Sequence, residues 1–336
     1  MNKLQIAALA VAGVLAAVSA QAQQAAAPGT LAVSADGTVT VHEATVPLSQ
    51  VLSEGGRKVL MRTQATEGPG APVPTPEQIK DMGELRRVYN QNLQPRVEHM
   101  REAFPVDIEE TTIDGIPVAI VTPKGGVPAR NKDRLVLNGP GGGFRTGVRA
   151  NGLLISIPMA ATLGVKVVSI IYRQGPEYRF PAASEDLLKV WDHYTKTYKP
   201  QNIGMVGCSA GGSLVSQTTA MLIKAGRPTP GVLGVYCSGL GTAGYSGGDS
   251  AYFSRLSITN VSAAAAAAAK PAAAPAPAPA APPVGYFTGV DQNQFIVDPT
   301  VDDKLLVKFP PTIFFTATRD FALSGSAYSH WKLLAA

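Results

Sequence analysis

Short apolar runs at 134–137, 165–172, 202–206, 232–236 and 312–316 constrain this chain more than anything else in it. Most are rich in β-branched residues, the composition of strands buried on both faces. Segments of helical character lie between several of them, at 150–163, 182–198 and 211–225. Such alternation argues for a mostly parallel α/β sheet flanked by helices. With 336 residues, 45% apolar and 16% charged, the chain can bury a sizeable core as one large domain or two small ones.

Upstream of that pattern, Ile113-Asp114-Gly115-Ile116-Pro117 reads as a turn between two strand-like runs, the second ending at Pro123-Lys124-Gly125-Gly126. Residues 23 to about 100 carry few strand patterns. Gly68-Pro69-Gly70, Pro72 and Pro74 mark a loop. Thr75-Pro76-Glu77 reads as the start of a helix that runs on through Ile79, Met82, Leu85 and Val88. At the N-terminus, Lys3, the apolar stretch 6–18 and Ala20-Gln21-Ala22 have the three-part layout of a secretory signal peptide. The stretch is shorter than the ~20 residues a membrane span needs. The expectation is a signal peptide at 1–22 and a mature chain starting near Gln23. That chain would be periplasmic or secreted, with no stable membrane span after cleavage.

Ala263 to Pro283 is almost entirely alanine and proline, a low-complexity insert that cannot bury specific side chains. The net charge of +5 comes from scattered basic residues, with no Lys/Arg run, so no nucleic-acid partner is expected. Cys208 and Cys237 make neither a disulfide framework nor a metal-site spacing. An oxidising compartment permits a bridge between them, and free buried thiols are the plainer reading.

Two glycine-rich segments carry chemistry. Gly207-Cys208-Ser209-Ala210-Gly211 follows a strand and opens a helix. The pentapeptide is a weak signal alone, and its context gives it meaning. A nucleophile on a sharp strand-to-helix turn leaves no room for side chains two residues to either side. It also stands at a helix N-terminus, whose partial positive charge favours a developing anion. Upstream, the strand Leu135-Val136-Leu137 leads into Asn138-Gly139-Pro140-Gly141-Gly142-Gly143-Phe144. Consecutive glycines there expose backbone N–H groups above the sheet, as an oxyanion hole requires. The alternative is an ordinary flexible loop. A phosphate loop is disfavoured, since neither a Gly-Lys-Ser/Thr ending nor a spaced GxGxxG is present.

These loops, in this order, resemble the hormone-sensitive-lipase-like branch of the α/β hydrolases. The resemblance continues through Tyr172-Arg173-Gln174-Gly175-Pro176-Glu177, Phe180-Pro181-Ala182-Ala183 and Glu185-Asp186. Further on it includes Phe309-Pro310-Pro311-Thr312 and Thr318-Arg319-Asp320. It covers roughly residues 80 to 336 apart from the insert. It implies an α/β-hydrolase fold over 101–336, with residues 23–100 as an N-terminal cap. It implies a serine esterase in which Ser209 attacks the ester carbonyl of a small-molecule substrate. The N–H groups of Gly141, Gly142 and Ala210 would stabilise the oxyanion, and Asp320 would orient a histidine. Arg173, Glu177 and Asp186 would hold loops together. No metal or organic cofactor is implied.

The chain departs from the family in three places. Pro140 stands where the family has a histidine that opens the glycine-rich motif, and Cys208 where its elbow often has aspartate. The third departure is the general base. The histidines are His42, His99, His193 and His330. Family order is Ser, Asp, His, and only His330 follows Asp320. Yet 324–336 reads as the helix after the strand that leads to Asp320, whereas the family's histidine follows one further strand. The catalytic histidine is therefore expected beyond residue 336. The C-terminal strand and helix would be missing here, and this chain would be inactive or impaired. The rival reading is a non-catalytic binding module on a hydrolase scaffold. A peptidase or acyltransferase on the same fold is a third. Oligomeric state is left open.

Overall fold

The structure, a computed structural model, describes residues 31–33, 39–41, 52–58, 81–241, 250, 285–318 and 320–336. The signal peptide expected at 1–22, the helix start at Thr75 and the insert at 263–283 lie outside the described residues. The chain divides into two compact units, Met1–Gly68 and Pro69–Ala336. In the first, β1 (Leu31–Val33) pairs antiparallel with β2 (Val39–Val41). The second unit holds every element from Met82 onward.

That unit opens with α1, Met82–Ala103. The Asp81 carboxylate accepts the Glu84 N–H at 3.0 Å, satisfying one of the amides a helix start leaves unbonded. Asp81 is itself non-helical, with φ −106° and ψ 85°, so α1 begins after it. A hairpin follows, β3 (Val106–Ile113) with β4 (Ile116–Pro123). Asp114 and Gly115 turn it with φ of 46° and 80°, the left-handed pair that matches strand twist in a two-residue hairpin.

Strand and helix then alternate. The order is β5 (Leu135–Gly139), α2 (Arg149–Leu163), β6 (Lys166–Ile170), α3 (Ala182–Tyr194), β7 (Ile203–Cys208), α4 (Ala210–Lys224) and β8 (Val232–Tyr236). After the insert come β9 (Thr312–Phe315) and α5 (Leu323–Ala335). The sheet is seven-stranded, in the order β3-β4-β6-β5-β7-β8-β9. β3, β4 and β6 pair antiparallel, and β6 through β9 are parallel. α3 ends at Tyr194, short of the expected 198, where the chain tightens into turns with Lys196 N–H on the His193 carbonyl and Thr197 N–H on that of Tyr194. β7 runs on to Cys208 because Gly207 and Cys208 still pair with Val235 and Tyr236.

Both faces of the sheet are covered. Leu135, Leu137, Val168 and Ile170 enter a core with Leu187, Trp191 and Leu214. Their strand neighbours Val136 and Val167 enter a second core with Val97, Leu153 and Ile157. Successive side chains on a strand point to opposite faces, so each strand feeds both layers. At about 1.5–3 kcal/mol per buried aliphatic side chain, the sheet is a rigid platform. The loops at the carboxyl ends of its parallel strands are where such folds place ligands.

Candidate active site

β7 ends at Cys208 and α4 begins at Ala210, leaving Ser209 to make the whole turn. It does so at φ 55° and ψ −125°, a conformation that L-residues rarely adopt and that costs about 1–3 kcal/mol. The turn is pinned on both sides. Ser209 N–H donates to the Tyr236 carbonyl at 2.8 Å, and its own carbonyl accepts from Gly212 N–H (2.8 Å) and Ser213 N–H (3.2 Å). The hydroxyl stays half-buried and makes no hydrogen bond to any described residue.

The flanking glycines are required by space. A Cβ on Gly207 would lie 2.2 Å from the Gly211 backbone, and one on Gly211 would lie 1.8 Å from the Gly139 carbonyl oxygen. The second contact ties the elbow to the loop after β5. A Cβ on Gly141 would stand 2.8 Å from the Cys208 carbonyl oxygen and 3.4 Å from the Ser209 Cβ, so Gly141 is packed directly against the serine. The amides of Gly141, Gly142 and Ala210 donate to no described residue. Gly141 thus lies against Ser209 and Ala210 directly follows it, whereas the close neighbours of Gly142 are Thr146 and Gly147.

The loop is held by residues far away in sequence. The Tyr172 hydroxyl donates to the Pro140 carbonyl at 2.7 Å. Gln174 Nε2 donates to the Gly147 carbonyl at 2.6 Å, and Gly147 N–H donates to Gln174 Oε1 at 2.7 Å. Phe144, at φ 55°, is buried and stacks on Tyr286 with centroids 4.8 Å apart and planes 6° from parallel. Arg86 of α1 donates to the carbonyls of Arg145 (2.8 Å) and Gly175 (2.9 Å), and both its terminal nitrogens bond Glu177. That guanidinium holds the Glu177 carboxyl below its usual pKa, against the opposing effect of partial burial. Arg173 bonds Asp186 through both its backbone N–H and Nε, at 2.8 Å each. Arg173, Glu177 and Asp186 therefore all sit in loop-holding ion pairs. Arg86 and Tyr286 escaped the sequence reading. Arg86 lies on a helix of polar character, and Tyr286 follows the Ala/Pro insert, so neither carried a local signal.

Asp320 follows β9, at the same sheet edge as Ser209. Thr316 Oγ1 donates to its Oδ2 at 2.9 Å, and Ala322 N–H to its Oδ1 at 3.0 Å. Cys237 lies just past β8, and Cys208, burial and the Asp320 carboxylate together push its thiol above the ordinary range. No described histidine hydrogen-bonds Ser209 or Asp320. His99 is exposed on α1, 3.7 Å from Glu102. His193 is exposed on α3, edge-on to Tyr194. His330 is exposed on α5, edge-on to Phe314 at 6.2 Å. His42 lies outside the described residues. Among the described residues, no group of three or more His, Cys, Asp or Glu is placed to hold a metal, and no helix is long and apolar enough to cross a membrane.

A family model described as alpha/beta hydrolase fold matches residues 137–336. Arylacetamide deacetylase of Oryctolagus cuniculus is 30% identical over 126 residues, 35% of this chain and 32% of that protein. Ethyl acetate hydrolase of Pseudomonas putida is 33% identical over 117 residues, 33% of this chain and 36% of that protein. The chain spans about a third of the length of these two relatives. Among solved structures, esterase E25 superposes with a TM-score of 0.66 at 27% identity, over 88% of this chain and 86% of that one. An esterase of the bacterial hormone-sensitive lipase family superposes with a TM-score of 0.59 at 20% identity, over 76% and 77%.

Proposed function

The chain belongs to the α/β-hydrolase-fold family, and from that premise we propose that it is a carboxylic-ester hydrolase working through an acyl-enzyme on Ser209. One observation carries the reading. A serine held at φ 55° and ψ −125° faces a loop whose Gly141 and Gly142 amides, with that of Ala210, have no other partner among the described residues. Ser209 Oγ attacks the ester carbonyl, and its proton passes to a base. The carbonyl oxygen becomes an oxyanion and accepts from those amides, each such donor lowering the barrier by about 3 kcal/mol. Collapse expels the alcohol, and water then cleaves the acyl-enzyme. Asp320, with Thr316 and Ala322 fixing its two oxygens, orients the base.

In this reading the base is a histidine beyond residue 336, and Ser209 is a poor nucleophile without it, at a cost of several orders of magnitude in rate. Residues 1–22 direct export. Short acyl esters are the first substrates to try, since acetate is the acyl group in the name of the Pseudomonas putida relative. A second reading, a binding module on a hydrolase scaffold, is favoured by one observation: no described histidine bonds Ser209 or Asp320.

The test uses this chain and a form extended through the natural reading frame, each with a Ser209→Ala control. Hydrolysis of a short-chain p-nitrophenyl ester and labelling by a fluorophosphonate are measured. Activity in the extended form that Ser209→Ala abolishes supports the esterase. A well-folded extended form with no Ser209-dependent turnover or labelling would sink it and leave the binding module. Activity in the shorter chain would overturn the placement of the base.

A further inference from the structure

Cys208 and Cys237 stand on neighbouring parallel strands. Cys208 closes β7 opposite Tyr236 in the ladder, and Cys237 is the next residue along. Strands in a sheet run about 4.8 Å apart and rise about 3.3 Å per residue, so the two Cα atoms are separated by about 6 Å. A disulfide spans Cα separations of roughly 4.4–6.8 Å. In a regular strand Cys237 would point away from the face that Tyr236 uses. It is instead turned by a left-handed φ of 52°, and its N–H is anchored to the Phe315 carbonyl at 2.7 Å. The two thiols interact: Cys208 holds the Cys237 proton in place, and Cys237 stabilises the Cys208 thiolate. Both cysteines are free and only half-buried, within reach of a small reagent.

We infer that Cys208 and Cys237 are an oxidisable dithiol that closes to a disulfide by exchange with a low-molecular-weight disulfide such as oxidised glutathione. This goes beyond the esterase reading and does not depend on it. The hydrogen bond from Cys237 favours the Cys208 thiolate and lowers its pKa, against burial and the nearby Asp320 charge. Loss of the proton from Cys237 is disfavoured by its bond to Cys208 and by its burial. Cys208 is therefore the attacking group, since the thiolate is the nucleophile in exchange. It breaks the donor's S–S bond, forms a mixed disulfide and releases one glutathione thiolate. Cys237 then gives its proton to solvent and attacks the Cys208 sulfur, releasing the second. Two protein thiols are oxidised and one small disulfide is reduced to two thiols. The bond would tie the residue before Ser209 to the residue after β8. It would also withdraw the Cys237 thiol from Asp320.

The test incubates the folded chain with excess oxidised glutathione and reads intact mass, peptide map and melting midpoint. The expected product has lost two hydrogens, yields a linked Cys208–Cys237 peptide, runs as a monomer on a non-reducing gel and melts higher than the reduced form. Cys237→Ser and Cys208→Ser should each lose that link. Two glutathione adducts on one chain, an intermolecular link, or two thiols that stay free in a chain that circular dichroism shows to be folded would each overturn the inference.

Discussion

Replacing Ser209 with glycine should make the protein more stable while removing the nucleophile. Ser209 holds φ 55° and ψ −125°, which glycine adopts without a Cβ clash, so the substitution releases about 1–3 kcal/mol of backbone strain. Glycine also loosens the unfolded chain, offsetting about 0.5–1 kcal/mol. The hydroxyl has no partner among the described residues, so no hydrogen bond is lost. The net gain is about 0.5–2 kcal/mol, or roughly 1–8 °C in melting midpoint for a domain of this size. Ser209→Ala is the reference, since it deletes the hydroxyl and keeps the Cβ that causes the strain. Urea unfolding of the two variants side by side reads the difference directly. A Ser209→Gly protein no more stable than Ser209→Ala would refute the claim that the turn is strained.

Three further outcomes follow from the same geometry. Gly211→Ala drives a Cβ to 1.8 Å from the Gly139 carbonyl oxygen. It should cost about 3 kcal/mol and slow fluorophosphonate labelling of Ser209, while Gly83→Ala, whose Cβ meets only the Asp81 carboxylate at 3.4 Å, should leave both readouts nearly unchanged. Tyr172→Phe strips the hydrogen bond from the buried Pro140 carbonyl and should cost about 1–3 kcal/mol, measured by chemical denaturation. Arg86→Gln should destabilise by about 1–2 kcal/mol at neutral pH, through the lost ion pair and carbonyl contacts. Glu177 has a depressed pKa in the folded state, so its contribution is complete above the unfolded value of about 4.3 and fades as pH falls through the folded one. The gap between native and Arg86→Gln should therefore narrow in the acid limb, and a constant gap would contradict the assignment.

The elements were legible wherever local pattern and burial agree. The runs ending near Leu137, Val206 and Tyr236 became adjacent parallel strands because each is apolar on both faces of the sheet. The helix start expected at Thr75 lies outside the described residues, and the cap that is seen is the Asp81 carboxylate on the Glu84 N–H. At the site, the elbow and the glycine loop were visible because their glycines answer to steric demands that recur in sequence. What holds the loop was not visible. Arg86 reaches across 59 residues to the Arg145 carbonyl, and the Tyr286 hydroxyl accepts the Ala183 N–H across 103 residues. No periodicity or motif encodes a contact of that range.

Pro140 shows why such distant contacts matter. A proline brings neither an N–H nor a polar side chain, so the peptide leading into Gly141 has only its carbonyl with which to be positioned. Tyr172 takes that carbonyl at 2.7 Å, and Tyr172 is itself buried, two residues past the end of β6. Downstream, Gln174 fixes Gly147 through two hydrogen bonds, and the Phe144 ring is clamped by Tyr286 and Phe287. Of the glycines between, Gly142 adds its carbonyl, which accepts from Arg145 N–H (3.0 Å), Thr146 N–H (2.8 Å) and Thr146 Oγ1 (3.2 Å). The glycine amides stay unspent because the segments on either side are held by groups outside the loop. An oxyanion donor works by being fixed before charge develops, so the loop depends on Tyr172, Gln174 and Phe144 rather than on the residue at position 140.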